Sequence, residues 1–272
     1  MQAVKADKIF FEERTEPLFF SLFKKGNDYN VFVSPQGQFL ILAMPKHGCA
    51  PGVINILSLP DLSSQPFVSL ELSIENYVSI QGITQKIDFS ASEKFDGAIS
   101  FVLTDFPGHI KKDISRFLDN NMNAVQQKTA EALAKFACEA LSFSKNRQEH
   151  RSSDSSSLLN LLNPSVLTGL LLTSQAFAHA DSSLVNLARR IAMETRLFFK
   201  YAEKSGKYFL SIALSGQMSE IHQEFFQKMK KDNTVDINDF LEKSLKNPFF
   251  GGIDFLMGVL SALNLIEEHI FK

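Results

Sequence analysis

The chain of 272 residues has no tryptophan, four tyrosines and two cysteines, and each scarcity removes something. Cys49 and Cys138 form no ladder of spacings, so a disulfide scaffold is excluded and a reducing, cytoplasmic setting is expected. Without tryptophan the usual amphipathic hot-spot aromatics are thin, and the 26 phenylalanines must fill the cores instead. Charge of one sign is lacking too. The 28 Lys and Arg are mixed among 30 Asp and Glu and leave a formal −2, which supplies no sustained positive field for phosphate contacts. Nucleic acid is therefore not an expected partner. The amino terminus, MQAVKADKIFFEERTEP, interrupts its first apolar residues with charges and has no signal-peptide h-region.

Catalytic signatures are scarce as well. The sequence has no GxxxxGK followed by Ser or Thr, no GxGxxG after a strand and no GxSxG elbow, so nucleotide-driven and hydrolase chemistry by familiar routes is not expected. The six histidines lie in six separate regions, none paired at the i, i+4 spacing of a helical metal site. His222 has Glu220 and Glu224 nearby but no second histidine, and a solvated helix face explains it. Neither a metal nor a cofactor is expected. His47-Gly48-Cys49 places an imidazole and a thiol close together in a loop rich in Gly and Pro, the setting in which a thiolate can be activated, although no orienting acid can be named. Cys138, among Phe136, Ala137 and Leu141, reads as a small core residue.

What is present defines an architecture. With 44% apolar and 21% charged residues the chain has the composition of a soluble globular protein of one large or two ordinary domains. From Lys8 to about Ser90 the apolar period is two. Tyr29 to Ser34 and Gln38 to Met44 flank the turn Ser34-Pro35-Gln36-Gly37 and predict a hairpin. Val53 to Leu59 reads as a buried strand. Val68, Leu70, Leu72 and Ile74 alternate with polar residues and predict a strand whose partner runs from Val78 to Phe89; register favours Ile74 opposite Val78 and Leu72 opposite Ile80, with a bulge or bend beyond Gly82. Asp96 to Phe106 predicts a last strand around Ile99, Phe101 and Leu103. Strands without intervening helices imply an antiparallel sheet or small barrel over residues 1–106.

Pro107-Gly108 ends that region. Ile110, Ile114, Phe117, Met122, Val125, Leu133, Phe136 and Ala140 then recur at helical spacings and predict one long connecting helix over 107–143, about 50 Å in length. The polar, serine-rich tract 144–157 reads as a linker. Residues 158–272 read as an α-helical bundle: Asn163-Pro164 opens a helix, Asp181 caps the next, which stops at Gly206, and Met218 to Met229 is helical. Asp236 or Thr234 caps another to Lys246, and Ile253 to Ile270 forms the last. Tyr208 to Leu214 is not assigned by periodicity. The fold class is α+β.

Asp232 to Leu241 resembles the latter half of an EF-hand calcium loop and its exiting helix, with Phe225, Phe226 and Met229 similar to the entering helix. The first and third ligand positions fall on Lys228 and Lys230, the glycine position on Asn233 and the bidentate Glu on Asp239. Two cations where a divalent ion needs carboxylates abolish binding, and an acidic cap on a helix explains the same residues. The helix-turn-helix shape survives without metal.

Apolar residues are in excess in Leu158 to Ala178 and in Phe249 to Ile266, where Asp254 and Asn264 are the strongly polar residues. Both stretches approach membrane-span length but are spoiled by polar residues and proline or paired glycines. Either the last helix is buried on all sides or its exposed side docks a partner, with Phe249, Phe250, Phe255, Leu256, Val259 and Leu263 the candidate docking residues. On these grounds the expected function is non-catalytic: an adaptor or scaffold subunit binding other proteins in a multiprotein assembly. The Lys, Asn, Phe and Ile usage points to a bacterium, with a secretion or trafficking machine as the setting. The rival readings are an enzyme with an unfamiliar site around His47, Cys49 and His109, and a peripheral membrane protein anchored by the last helix.

Overall fold

A computed structural model describes residues 1–62, 68–83, 86–99, 103, 105–141, 162–179, 181–231, 235–245 and 252–270. Within them the chain is α+β, with nine strands and eight helices. It divides into two compact units, one of Met1–Ala98 with Met218–Gln223, the other of Ile99–Gln217 with Glu224–Lys272. The tract 144–157, read as a linker, lies outside the described residues.

The sheet unit holds β1 (Ala3–Asp7), β2 (Leu18–Lys25), β3 (Tyr29–Val33), β4 (Phe39–Ala43), β5 (Val53–Ile56), β6 (Ser69–Leu72), β7 (Tyr77–Ile80), β8 (Lys86–Asp88) and β9 (Glu93–Phe95), in the spatial order β8-β7-β6-β2-β3-β4-β5-β1-β9. Pairing is antiparallel except at β4–β5 and β1–β9, so the sheet is mixed, with the antiparallel pairing expected of it in the majority. It also curls. Asp88 in edge strand β8 bridges Gln2 in parallel, and its N–H donates to the Met1 carbonyl at 2.9 Å, so the chain returns to where β1 begins. The inner face gathers Phe20, Phe32, Leu40, Leu42, Ile54, Leu70, Leu72, Val78 and Ile87 into one core. β4 and β5 are buried on both faces, the reason these runs are apolar apart from Asn55 and not alternating.

The first hairpin forms as expected: β3 pairs β4 with Val33 opposite Phe39, and Gly37 takes φ +83° in the turn. The second keeps its phase but not its register. Leu72 faces Val78 and Leu70 faces Ile80, because the loop is Ile74-Glu75-Asn76, with Asn76 left-handed at φ 60° and the Ser73 hydroxyl accepting the Glu75 N–H. Apolar side chains still face one another, and Ile74 is left 51% exposed at the tip. Beyond Gly82 the chain does not bulge within one strand. The Ile83 N–H closes a tight turn onto the Ile80 carbonyl, and β8 comes back antiparallel to β7. Among the described residues the last strand is β9: of the strand expected from Asp96 to Phe106, Ile99 and Leu103 belong to the helical unit and lie outside strands, and Phe101 is outside the described residues.

In the helical unit the long helix over 107–143 is two helices, α1 (Gly108–Asn121) and α2 (Ala124–Leu141). Local hydrogen bonding breaks it. The Asn123 side chain accepts from the Val125 and Gln126 N–H groups while the Gln126 side chain accepts from the Asn123 N–H, a reciprocal cap that starts a new helix. Asn120 and Asn121 donate back to the carbonyls of Arg116 and Phe117, closing the old one. The break resets the apolar phase and leaves Val125 73% exposed.

The remaining helices are α3 (Pro164–Ala178), α4 (Ser182–Phe198), α5 (Lys204–Leu214), α6 (Glu220–Lys231), α7 (Ile237–Leu245) and α8 (Gly252–Ile270). Asn163, Asp181 and Asp236 cap α3, α4 and α7 as read from sequence. Helix α4 ends at Phe198 and not at Gly206, which lies buried inside α5. Helix α6 is divided between units: its first four residues count with the sheet, the rest with the helices.

The centre of the helical unit is the crossing of α3 and α8. A Cβ added at Gly169 would lie 2.2 Å from the Phe255 carbonyl oxygen, and one at Gly258 would lie 2.0 Å from that of Val166. The two backbones touch, which only glycine permits. Asn163 ties the helix starts together by donating to Asp254 at 2.9 Å. Phe225, Phe226 and Phe240 pack around Phe255 at 5.5–6.2 Å between ring centroids. Among the described residues no helix is long and apolar enough to cross a membrane.

Candidate functional site

The His47–Cys49 loop is the strongest chemical constellation in the sequence, and the sheet unit builds it in detail. Pro45–His47 form a 3-10 turn, Gly48 continues at φ 68°, and three side chains then hold the backbone. Glu220 accepts the Cys49 N–H and returns its own N–H to the Cys49 carbonyl, both at 2.9 Å. Asn55 donates to the Gly48 carbonyl at 3.1 Å, and Asp7 accepts the Gly52 N–H at 2.7 Å. Lys5 bridges Glu220 at 2.8 Å and Glu93 at 2.9 Å. Burial opposes the Lys5 charge, but the two carboxylates outweigh it and its pKa is pushed up to about 12.

This arrangement is suited to holding a loop, not to nucleophilic attack. Cys49 is fully buried, and burial, reinforced by the negative charges of Asp7 and Glu220, drives its thiol far above the ordinary range. Asp7, 5% exposed, is raised by burial despite the N–H groups it accepts from Gly52 and Ile9. His47 lies 3.9 Å from the Asp28 carboxylate, which Lys46 also binds at 2.8 Å, and its ring meets the edge of Tyr29. His109 is exposed in the first turn of α1 and belongs to the other unit.

His222 is not on the solvated face expected for it. It is 1% exposed, and burial depresses its pKa to about 3, so the ring is neutral. Glu220 and His222 sit in the six-residue piece that joins the sheet unit from the far end of the sequence, a placement with no local signal.

In the EF-hand-like segment two ammonium groups stand between two carboxylates. Lys228 lies 3.4 Å from Glu224 and 3.2 Å from Asp239, and Lys243 lies 2.9 Å and 3.1 Å from the same pair. The lysines hold both acids ionised, and the Glu224 and Asp239 pKa values fall. Residues 232–234 lie outside the described residues. No group of three or more His, Cys, Asp and Glu side chains that could hold a metal occurs among the described residues.

The candidate docking residues of the last helix are internal. Phe255, Leu256, Val259 and Leu263 are each 1% exposed or less, because the glycine crossing buries them between helices. The apolar surface of these four side chains is used within the chain. Phe249 and Phe250 lie outside the described residues. Exposed aromatic surface is found instead on β2, where Phe20 points into the core while Phe19 and Phe23, on the outer face, are 58% and 48% exposed. Phe23 packs edge-on against buried Phe39 at 5.7 Å, which fixes its ring. Their alternation with Leu18, Phe20 and Leu22 is the signal by which they could have been found. No protein-family model, no curated protein and no solved structure matches this chain.

Proposed function

We propose that this protein is a non-catalytic interaction subunit, an adaptor or scaffold within a larger multiprotein assembly. The observation that carries the reading is the pair Phe19 and Phe23, two rings turned to water from a rigid strand. Aromatic side chains on a fixed backbone lose little entropy on docking and supply large contact area, so they anchor interfaces. The buried, raised thiol of Cys49 supports the same reading, since a nucleophile needs the opposite setting. A bacterial secretion or trafficking machine is the setting we infer, from the Lys, Asn, Phe and Ile usage.

The test is affinity purification from the native cell with the mass and composition of the recovered complex determined. The chain is expected in a stoichiometric assembly that is lost in the Phe19→Ser/Phe23→Ser double variant, while the variant alone unfolds within about 1 kcal/mol of the parent because both sites are exposed. Recovery of the parent as a lone monomer would overturn the reading.

A further inference from the structure

Helix α4 has two faces of opposite character. Leu184, Leu187, Ala188, Ile191, Thr195 and Phe198 are buried, the stripe by which the helix joins its unit. Opposite them, Arg189, Met193 and Arg196 recur at spacings of four and three, and all three are exposed. At 100° per residue they stay within an arc of roughly 60°. Met193, at the centre of this row, is 55% exposed. Lys200, Tyr201, Lys204 and Lys207, which follow the helix end in sequence, are exposed as well.

The cations of this row have no acid of their own. Between Arg189 and Lys207 the acids are Glu194 and Glu203, against six cations, in a chain whose net charge is −2. Glu194 lies well round the helix from the row and, like Arg190, has a partner elsewhere. Among the described residues no ion pair involves Arg189, Arg196, Lys200, Lys204 or Lys207. Lys5, Lys228 and Lys243 show the contrast, each holding two carboxylates.

We propose that this face of α4 docks an acidic segment of a partner protein, with carboxylates on the guanidinium groups of Arg189 and Arg196 and an apolar side chain seated on Met193. The inference rests on the interaction reading above and adds a second surface to it. Arginine presents a planar fork that fits a carboxylate with two parallel hydrogen bonds, and Met and Arg are the residue types enriched where protein interfaces bury surface. A lipid surface fits less well. Insertion requires a continuous apolar wedge, and here exposed Met193 stands between cations on the helix while Tyr201 lies apart, beyond the helix end.

The test uses the full chain and a fluorescent helical peptide of about 16 residues built from Glu and Leu, with a second peptide carrying Gln for Glu. Anisotropy is followed at about 50 mM and about 300 mM salt, which shortens the screening length by more than half. The Glu peptide is expected to bind, to weaken about tenfold or more in the higher salt, and to bind far better than the Gln peptide. Arg189→Glu/Arg196→Glu should weaken it at least about tenfold, and Met193→Ser about threefold with the salt dependence unchanged, an effect that charge attraction alone does not give. All these positions are exposed, so circular dichroism and thermal unfolding should match the parent.

No binding of the Glu peptide by the parent, equal binding by the reversed variant, or preferential uptake by phosphatidylserine vesicles would overturn the proposal. The vesicle result would assign the face to lipid. Native-cell purification of the Arg189→Glu/Arg196→Glu chain separates the two claims. A complete assembly alongside failed peptide binding removes this surface and leaves the interaction reading standing, whereas a parent chain recovered alone removes the reading itself.

Discussion

In the sheet unit an eight-residue loop, Pro45–Gly52, is held by the nearby side chain of Asn55 and by Asp7 and Glu220 from distant parts of the sequence. In the helical unit α3 and α8 are held by contact of backbone on backbone at Gly169 and Gly258, with a cluster of phenylalanine rings beside it. The first solution satisfies two N–H groups with the carboxylates of Asp7 and Glu220 and a carbonyl with the Asn55 amide, and because burial raises the Asp7 pKa, part of its strength depends on pH. The second depends on the absence of two Cβ atoms, and the titratable Asp254, which accepts from Asn163, stands beside that contact. The loop is thus held by polar side chains and the helix crossing by steric fit.

The steric lock should give the largest single effects. Gly258→Ala or Gly169→Ala places a Cβ near 2 Å from a backbone carbonyl oxygen that cannot move without its helix, and either is expected to cost about 3 kcal/mol or more in urea unfolding. Gly37→Ala is the control. Its Cβ meets nothing within 4 Å, so only the strain of φ +83° remains, about 1–2 kcal/mol. Equal costs at the two sites would dissolve the steric half of the comparison.

The proton-sensitive half is tested through His222, whose folded pKa of about 3 lies below an unfolded value near 6.5. Its neutral burial favours the folded state fully above the unfolded value, and that contribution is lost as pH falls from about 6.5 toward 3. At pH 5 the loss should approach roughly 2 kcal/mol, and His222→Leu should flatten the slope. Asp7, raised by burial, works in the opposite sense, since its contribution is present at low pH and lost as pH rises through its folded pKa. The slope left in the His222 variant should therefore be shallow or reversed.

Two smaller effects concern local order. Asn123→Ala removes the acceptor for two N–H groups and should cost about 1 kcal/mol, read by denaturation, with a loss of helical signal at the start of α2. Lys228→Ala leaves Lys243 to serve both acids. Because all four groups are well exposed, the cost should not exceed about 0.5 kcal/mol and should vanish in high salt.

Much of the local structure was legible in the residues. Asn163-Pro164, Asp181 and Asp236 were readable as caps because a helix start is satisfied by side chains two or three residues away. Ser34 to Gly37 was readable as a turn for the same reason. The break at Asn123 could have been read too, from Asn120, Asn121 and Asn123 together, but the 3.6-residue period runs across it and outweighs three short polar side chains. The register of β6 on β7 was open by two residues, since any even shift preserves which face is apolar.

The candidate site was legible only as a loop. The burial of Cys49 and the raised pKa of its thiol arise in a loop whose backbone Asp7, Asn55 and Glu220 hold, and no pattern local to residues 45–52 contains them. The burial of four of the docking residues read from the last helix was not legible for a related reason. Amphipathicity measures how one helix divides its own surface, whereas burial of Phe255, Leu256, Val259 and Leu263 is settled by how near a second backbone comes. The sequence by itself determined the fold class, the caps and the alternation of the strands, because those interactions span a few residues. Tertiary structure alone decided the curl of the sheet, the α3–α8 contact, and which apolar residues remain in water. Each of those depends on groups tens to hundreds of residues apart meeting within a few ångströms.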